Sequence, residues 1–299
     1  MQELAVGEYA TLAEGLYLEG LSYDFGRDVV WYSDVVKGGI HGVKPDGTPF
    51  GAFNEDRMWT GGVMMNSCGA VLSSGQGGIM WNNPDTGKSG WLLQEIDGEP
   101  INGVNEMWPD GEGGIFFGGL DIENIIAGKA TRPVSLYRLT ADRRVLTLDA
   151  DIYFANGVAY DADRRRFYCS DTFRTSWTWD VADDLSLTNQ CELLKKTDCD
   201  GLALEADGTV LITGVYSPGK ILRVTPDGEE LAPLLTPEGA TTQIRFGGQD
   251  LRDTYLVVVP ADAGDALKEG RMPSGVSQLY RGRAEKPGVG VGTSNFKLG

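Results

Sequence analysis

The residues best suited to chemistry in this chain bear side-chain oxygens and begin short segments of similar shape. The clearest copy is Asn156-Gly157, which begins an alternating apolar run that ends at Asp161. Related segments recur at intervals of roughly 42 to 51 residues, a period typical of repeat architectures. Their first residues are Glu19, Gly61, Asn105, Asn156, Asp200 and Thr242. Because equivalent positions in a ring of repeats lie around its axis, these six positions are expected to face one another.

Four of the six first residues carry oxygens of the kind that bind hard cations. They are Glu19, Asn105, Asn156 and Asp200. Two carboxylates and two amide carbonyls favour Ca²⁺ or Mg²⁺, with Mn²⁺ and Zn²⁺ less preferred. The other two positions, a glycine and a threonine, would leave room for water and substrate, as in catalytic metal centres. One divalent cation, most favourably Ca²⁺, is therefore the expected cofactor.

Some of these residues also have an ordinary structural interpretation. Asn156-Gly157 matches a type I′ hairpin turn, and an Asp-Gly pair such as that at 200–201 is equally common in turns. Asp34 and Asp171 end apolar runs, where aspartate typically caps a loop. The shared register of the four oxygen-bearing residues favours a common site for them, and a structural role for these two aspartates.

The elements that must position these side chains are short β-strands. The chain has 42 glycines, and Asp-Gly pairs at residues 46, 110, 207 and 227 separate apolar runs, which is a strong hairpin signal. Each repeat predicts four antiparallel strands, and six such repeats closed into a ring form a six-bladed β-propeller. The predicted fold is all-β, a single domain over residues 1–299 with its metal site in the central channel.

Segments outside the repeats are expected to close the ring or to lie on its surface. Residues 277–281 or 9–12 would supply the strand that ties the last repeat to the first. Short helices are expected at 121–127 and 261–270. The glycine-rich residues 288–299 are expected to be loosely held.

Charge and hydropathy exclude several classes of partner. The net charge of −17 makes nucleic acid and anionic membranes unfavourable partners. No apolar run approaches the ~20 residues of a membrane span. The first residues lack the basic start and apolar core of a secretory signal. We expect a cytoplasmic protein that acts on a small molecule as a monomer or small homo-oligomer.

Cysteine and histidine are too few for several kinds of site. The four cysteines form no Cys-x-x-Cys pair and are expected to be reduced and mostly buried, as in a cytoplasmic protein. His41 is the single histidine, which excludes a multi-histidine metal site and makes a Ser-His-Asp triad depend on this one residue. A structural or rim position suits His41 better.

At these residues the sequence resembles the SMP-30/gluconolactonase/luciferin-regenerating-enzyme family, from about Glu14 to Arg281. The motifs that carry the resemblance are Glu19-Gly20, Asn105-Glu106 before Pro109-Asp110-Gly111, Ala155-Asn156-Gly157-Val158-Ala159, Ser170-Asp171-Thr172 and Asp200-Gly201-Leu202-Ala203. The resemblance implies a six-bladed propeller with one divalent metal in its channel. It also implies that Glu19, Asn156 and Asp200 bind the metal, while Asn105 is a further ligand or orients substrate and water.

The chain departs from the family where sugar lactones are bound. Sugar-lactone members commonly carry arginine two residues before the asparagine of the third repeat, where this chain has Gly103. The next residue is Glu106 in place of aspartate, and an apolar Met-Trp pair follows it. These departures indicate a bulkier or less hydroxylated lactone than an aldonolactone. The predicted substrate-binding residues are Gly103, Met107, Trp108, Trp59 and Phe173.

The favoured activity is metal-assisted hydrolysis of a lactone. The cation would polarise the ester carbonyl, stabilise the oxyanion and lower the pKa of a water. Asp200 is the predicted base, although binding the cation would depress its pKa and weaken it in that role. Glu106 is the alternative base, and Asn105 would orient the substrate.

Two alternatives remain open at the level of sequence. The same scaffold could hydrolyse other esters or organophosphates, or catalyse an elimination or isomerisation beside an activated carbonyl. In a different class, the protein would be a non-catalytic binding or regulatory propeller with a structural Ca²⁺. Product mass separates hydrolysis from isomerisation because only hydrolysis adds a water.

Overall fold

Short antiparallel strands dominate the computed structural model of the protein, which describes residues 3–269, 271 and 273–299. The first strands are β1 (Tyr9–Gly15), β2 (Leu18–Asp24), β3 (Val29–Asp34), β4 (Ile40–Val43), β5 (Pro49–Phe53), β6 (Thr60–Met65), β7 (Val71–Gly75), β8 (Gly78–Asn82) and β9 (Ser89–Leu93). They are followed by β10 (Glu95–Ile96), β11 (Glu99–Pro100), β12 (Val104–Pro109), β13 (Ile115–Gly119), α1 (Ile122–Ile126), β14 (Val134–Leu139), β15 (Val145–Ile152), β16 (Ala155–Asp161) and β17 (Arg166–Asp171). The last elements are β18 (Thr175–Val181), β19 (Leu187–Leu194), β20 (Cys199–Leu204), β21 (Val210–Gly214), β22 (Lys220–Val224), β23 (Glu230–Leu235), β24 (Ala240–Gly247), β25 (Asp253–Val259), α2 (Ala263–Lys268) and β26 (Ser277–Arg283).

The longer strands pair as four-strand antiparallel meanders. Four separate sheets contain β2–β5, β6–β9, β12–β15 and β16–β19. An eight-stranded sheet contains two more meanders, β20–β23 and β24-β25-β26-β1. These two meanders are joined by one residue pair, Gly214 with Thr241. The strands β10 and β11 form a small separate hairpin.

The first strands of these meanders contact one another in a closed circuit. Contacts run from β2 to β6, then to β12, β16, β20 and β24, and from β24 back to β2. Side chains from neighbouring meanders pack between the sheet faces, as where the Phe116 and Phe167 rings lie 5.1 Å apart. The result is an all-β, propeller-like fold organised around the circuit of first strands.

Each first strand has a shift in pairing register at the position of its predicted site residue. The shifts fall between Leu18 and Leu21, Thr60 and Val63, Val104 and Met107, Ala155 and Val158, Cys199 and Leu202, and Thr241 and Gln243. Such irregularities break the strict alternation of side chains and are common beside active sites. The side chains at these positions therefore point in directions that a regular strand would not give them.

Glycine follows several of these residues because adjacent first strands lie very close together. Asn156-Gly157 lies inside β16, so the turn interpretation is wrong for this pair. A Cβ atom at Gly157 would collide with the Asp200 carbonyl oxygen of the next first strand. A Cβ atom at Gly20 would meet the Gly61 carbonyl oxygen in the same way. The recurring pairs thus permit a close backbone approach.

Both ends of the chain take part in closing the fold. β1 pairs with β26, so residues 9–12 and 277–281 both contribute to the closing meander. The residues after β26 were expected to be loosely held, but they cross three meanders as a hydrogen-bonded strap. Its backbone donors reach the carbonyl oxygens of Leu204, Met65 and Gly113, from Val289, Ser294 and Asn295. We call residues 288–298 the C-terminal strap.

Smaller features agree with the sequence in part. Helices form at α1 and α2, within the two predicted stretches, although residue 270 lies outside the described residues. All four cysteines are free, but only Cys169 and Cys199 are buried, while Cys68 and Cys191 are exposed. His41 lies in β4 and stacks on a tyrosine ring. Within the described ranges, no helix is long and apolar enough to cross a membrane.

The strap yields a test of stability. Phe296 is 2% exposed and packs among core residues that include Phe117 and Leu139. We expect Phe296→Ala to lower the free energy of unfolding by about 3–5 kcal/mol, because the truncation leaves a cavity. Phe50→Ala, at a position that is 39% exposed, is the control and should cost clearly less. In urea denaturation, a loss for Phe296→Ala no larger than that for Phe50→Ala would contradict a core role for Phe296.

Candidate functional site

Four predicted oxygen donors line one small pocket with a cavity volume of about 20 Å³, enough for one water molecule or a cation between them. Each is the second residue of a first strand, in β2, β12, β16 and β20, and all four are buried. The eleven lining residues are Tyr17, Glu19, Trp59, Asn105, Phe154, Asn156, Thr172, Phe173, Asp200, Val215 and Gly264. The repeat therefore brings its oxygen-bearing residues together, as the aligned register predicts.

The two carboxylates of this pocket are incompletely satisfied. Glu19 is 5% exposed and Asp200 is 1% exposed. Glu19 Oε1 and Asp200 Oδ1 are buried without a hydrogen-bond partner among the described residues. A buried carboxylate oxygen with no donor is costly, so this arrangement favours a protonated carboxyl or a bound cation.

Burial and nearby negative charges raise the pKa of both groups. Burial, and next the negative charge of Glu106, raise the pKa of Glu19 from 4.5 to about 8. Burial raises the pKa of Asp200 well above its ordinary value, and the charges of Glu19 and Glu106 add to the effect. A divalent cation would reverse both effects by supplying the missing positive charge.

The amide donors are held in place by hydrogen bonds. Asn105 Nδ2 donates to Asn156 Oδ1 over 2.7 Å. The Trp59 indole nitrogen donates to Asn105 Oδ1 over 3.0 Å. Each carbonyl oxygen retains a second lone pair, so both amides can still donate to a cation.

Aromatic side chains form the walls of the pocket. The rings of Trp59 and Phe154 lie 6.3 Å apart, and those of Phe154 and Phe173 lie 6.1 Å apart. Trp59 and Phe173 both adopt the left-handed backbone region, with φ of 58° and 73°. Bulky residues rarely hold this conformation, and where they do the strain clusters at functional sites.

The donor set fits a hard divalent cation. It offers two carboxylates and two amide carbonyls, and it leaves buried carboxylate oxygens without donors. Across the part of the chain that the structure describes, no group of three or more His, Cys, Asp or Glu side chains is placed to hold a metal. The fit therefore depends on the asparagines as much as on the carboxylates.

Comparison with known proteins agrees with this architecture. The family model described as SMP-30/Gluconolactonase/LRE-like region matches residues 18–259. The chain belongs to this family. It is 25% identical to a pentonolactonase of Haloferax volcanii over 55% of this chain and 59% of the relative. It is 29% identical to a 6-deoxy-6-sulfogluconolactonase of Pseudomonas putida over 40% and 43%.

Further relatives come from the same family. Regucalcin of Bos taurus is 27% identical over 56% of this chain and 59% of its own. The chain thus spans less than two thirds of the length of these curated relatives. Among solved structures, a luciferin-regenerating enzyme has a TM-score of 0.77 at 19% identity, covering 97% of this chain and 99% of its own. A gluconolactonase of Xanthomonas campestris has a TM-score of 0.74 at 19% identity, covering 91% and 88%.

Three predicted substrate-binding residues lie away from the pocket of this family member. Met107 and Trp108 are 2% and 3% exposed and pack in two separate core clusters, because neighbouring strand residues point to opposite faces. A side chain at Gly103, the arginine position of sugar-lactone members, would collide with Ile122 of α1. Trp59 and Phe173 do line the pocket.

Glu106 also lies outside the pocket lining. Its Oε2 accepts from Arg245 Nη2 over 2.5 Å, and both side chains are almost fully buried. Burial raises the pKa of Glu106 to about 7, while Arg245 lowers it. The Arg245 guanidinium lies 5.5 Å from the Trp108 ring. Glu106 is thus an ion-paired group near the donors. It does not line the pocket, which the predicted role as alternative base would require.

Other lining residues had little or no sequence signal. Tyr17 lies two residues before Glu19, so strand alternation could have identified it. Thr172 ends the Ser-Asp-Thr motif, and its hydroxyl donates to the Cys199 carbonyl oxygen. Val215 and Gly264 come from loops and α2, which the repeat pattern does not describe.

The shifted carboxylates predict pH-dependent cation binding. A cation needs ionised Glu19, so binding below a pKa of about 8 releases a proton. We expect Ca²⁺ affinity to fall roughly 10-fold per pH unit for each proton released, between pH 8 and pH 6. Without cation, the folded protein should lose stability as pH rises from 4.5 towards about 8, since the unfolded state ionises first.

Calorimetric Ca²⁺ titration in buffers of different ionisation enthalpy measures the affinity and counts the protons. Glu19→Gln is the matched control, because glutamine cannot titrate; it should make the pH profile of affinity less steep and leave only the proton of Asp200 to be released. A wild-type affinity that does not change with pH, with no proton released, would contradict the charge state inferred for the pocket.

Proposed function

We propose that the protein is a divalent-metal-dependent hydrolase that opens a lactone ring. The observation that carries the proposal is the pair of buried, incompletely satisfied carboxylates, Glu19 and Asp200, facing two asparagine amides in an aromatic pocket. Relatives named pentonolactonase and sulfogluconolactonase support the reaction type. Relatives named regucalcin, one solved structure of which is described as calcium-binding, support the cation.

The proposal includes a six-bladed propeller in a single domain. Each four-strand meander would be one blade, and the single residue pair that joins two meanders would be a contact between blades. The closed circuit of contacts among the first strands supports this count. In that arrangement the pocket would lie at one end of a central channel, with the four oxygen donors around it.

In the proposed mechanism Glu19, Asn156 and Asp200 hold the cation, and Asn105 is the fourth donor. When bound, the cation supplies Lewis-acid chemistry, which polarises the lactone carbonyl and lowers the pKa of an attacking water. Asp200 would accept the proton of that water as its oxygen bonds to the carbonyl carbon, since Glu106 does not line the pocket. The ring ester C–O bond would then break, and Asp200 would return the proton to the leaving ring oxygen, which gives the hydroxy acid. The Asn105 amide orients the substrate carbonyl.

The aromatic walls contribute to the reaction by limiting water. Trp59, Phe154 and Phe173 surround the donors on the apolar side. A pocket of low polarity strengthens each electrostatic contact with the charge that develops on the carbonyl oxygen. It also favours an apolar group on the substrate next to the lactone ring.

The chemistry of the lining favours a neutral, weakly hydroxylated lactone. None of the described residues that line the pocket is a lysine or an arginine. A phosphorylated or sulfonated sugar lactone would therefore find no basic side chain in this pocket, and its only counter-charge there would be the cation itself. A second cavity shares Phe173 and is also lined by Tyr153, Ile125 and Lys129, so a bulky substituent could extend into it, with one basic side chain beside it.

Removing one carboxylate charge tests the reaction. We expect Asp200→Asn to lower lactone turnover by at least about 100-fold and to weaken Ca²⁺ binding, since it removes both a ligand and the base. Asp207→Asn, on the surface near the same strand, is the control, because its exposed contact with Lys286 contributes little. A pH-stat measures the rate, and mass spectrometry should show one added water in the product.

The outcomes separate the three classes of function. Product that gains no water would replace hydrolysis by isomerisation or elimination. Wild-type protein that binds Ca²⁺ but turns over no lactone or ester in a broad panel would favour a non-catalytic calcium-binding propeller. Protein that neither binds a divalent cation nor gains stability from one would refute the site itself.

Substrate preference provides a further test. We expect a neutral aromatic lactone to have a kcat/KM at least about 10-fold above that of a phosphorylated sugar lactone. Phe173→Ala should lower kcat/KM for the aromatic lactone by roughly 10-fold and leave a small aliphatic lactone nearly unchanged. Phe50→Ala is the matched control outside the pocket. A preference for the anionic sugar lactone would contradict the assigned substrate class.

A further inference from the structure

A chain of hydrogen bonds connects the loop before β6 to the amide donors of the pocket. The Trp59 indole N–H donates to Asn105 Oδ1 over 3.0 Å. The Asn105 amide nitrogen donates in turn to Asn156 Oδ1 over 2.7 Å. All three side chains are buried, at 7%, 1% and 6% exposure. The chain is therefore shielded from competing water.

The direction of this chain is set by its first donor. An indole N–H can only donate, so the atom of Asn105 that faces Trp59 must be the carbonyl oxygen. The Asn105 amide nitrogen then faces Asn156, whose facing atom must also be a carbonyl oxygen. One indole proton thus fixes which way two amide groups point. Without it, either amide could rotate by half a turn and present a nitrogen, which repels a cation.

The backbone at Trp59 is held in the position that this contact requires. Its φ of 58° lies in the left-handed region, which is unfavourable for a bulky residue. The Trp59 nitrogen donates to the Val35 carbonyl oxygen, and the Trp59 carbonyl oxygen accepts from the Gln76 nitrogen, both over 3.1 Å. Contacts on both sides therefore maintain a conformation that the residue alone would leave.

A buried ion pair anchors the same loop to the second meander. Arg57 and Glu55 are 2.7 Å apart, with side chains that are 4% and 1% exposed. Arg57 also donates to the carbonyl oxygens of Ser73, Ser74 and Gly78, over 3.0 to 3.1 Å. Glu55 accepts from the side chain of Asn82 over 2.9 Å. These contacts tie the loop that carries Trp59 to β7 and β8.

We propose that Trp59 is a positioning residue: its indole N–H orients the Asn105 and Asn156 amides so that their oxygens face the cation, and the Glu55–Arg57 pair holds it in place. This role is separate from the contribution of its ring to the pocket wall. It rests on the proposed function because it requires a cation at the four donors. This role explains why a tryptophan with an unfavourable backbone conformation lies beside a site whose donors are all oxygen atoms.

Trp59→Phe tests the role by keeping an aromatic ring and deleting the donor. We expect Ca²⁺ affinity to fall by roughly 10- to 100-fold, the usual effect of losing a contact that orients a metal ligand. The kcat for the best lactone should fall, with KM changed less than threefold. Trp179→Phe is the matched control, since it deletes a buried indole donor that bonds Asp149 over 3.2 Å outside the pocket, and its Ca²⁺ affinity should stay within about twofold.

If Trp59 only stabilised the fold, a double-variant experiment would give a different result. If Trp59 acts through Asn105, then Trp59→Phe should cause no further loss of Ca²⁺ affinity in an Asn105→Ala background. Additive losses would overturn the proposal, and so would wild-type affinity in the single variant. Should Trp59→Phe fold poorly, benzothienylalanine at residue 59 keeps the bicyclic shape and replaces the N–H by sulfur. The same affinity loss is expected for it.

Failure of the proposed function would look different from failure of this inference. Calcium that does not bind wild-type protein would overturn the cation site and the positioning role together. Calcium that binds wild type, Trp59→Phe and the benzothienylalanine protein equally would overturn the positioning role alone.

Discussion

The structure depends on placing two buried carboxylates close together near its centre. Glu19 and Asp200 come from strands far apart in sequence. Burial raises the pKa of both, the charge of Glu106 raises both further, and the charge of Glu19 also raises the pKa of Asp200. Burying like charges without partners opposes folding, so the fold tolerates them only if protons or a cation balance the charge. The closed circuit of strands supplies the constraint that keeps them from separating.

The backbone of the first strands imposes that constraint. The first strands approach so closely that a Cβ atom at Gly157 or Gly20 would strike the neighbouring backbone. Register shifts at the same positions turn the residue before each glycine, Asn156 or Glu19, toward the pocket. Close packing and side-chain aim are thus two results of one local pattern, an oxygen-bearing residue followed by glycine.

This pattern explains what the sequence could predict. The site residues Glu19, Asn156 and Asp200 each precede a glycine in a repeated segment, so spacing alone identifies them. Met107 and Trp108 could not be placed in that way, because the shift between Val104 and Met107 decides which face each one meets. The ordering of the C-terminal strap depends on contacts with three distant meanders, and glycine content gives no information about those.

The third repeat shows how the charge of the site is set. It has Glu106 where four of the other five repeats have glycine and the sixth has Gln243. A Cβ atom at Gly62 would lie 2.5 Å from the Glu106 carboxylate, so glycine there makes room for it. Arg245, from the sixth meander, neutralises Glu106 through a buried ion pair. Three carboxylates and one guanidinium then leave an excess of two negative charges when all are ionised. That excess is the charge of one divalent cation, and the Glu106–Arg245 pair leaves it unchanged because the charges of the pair cancel.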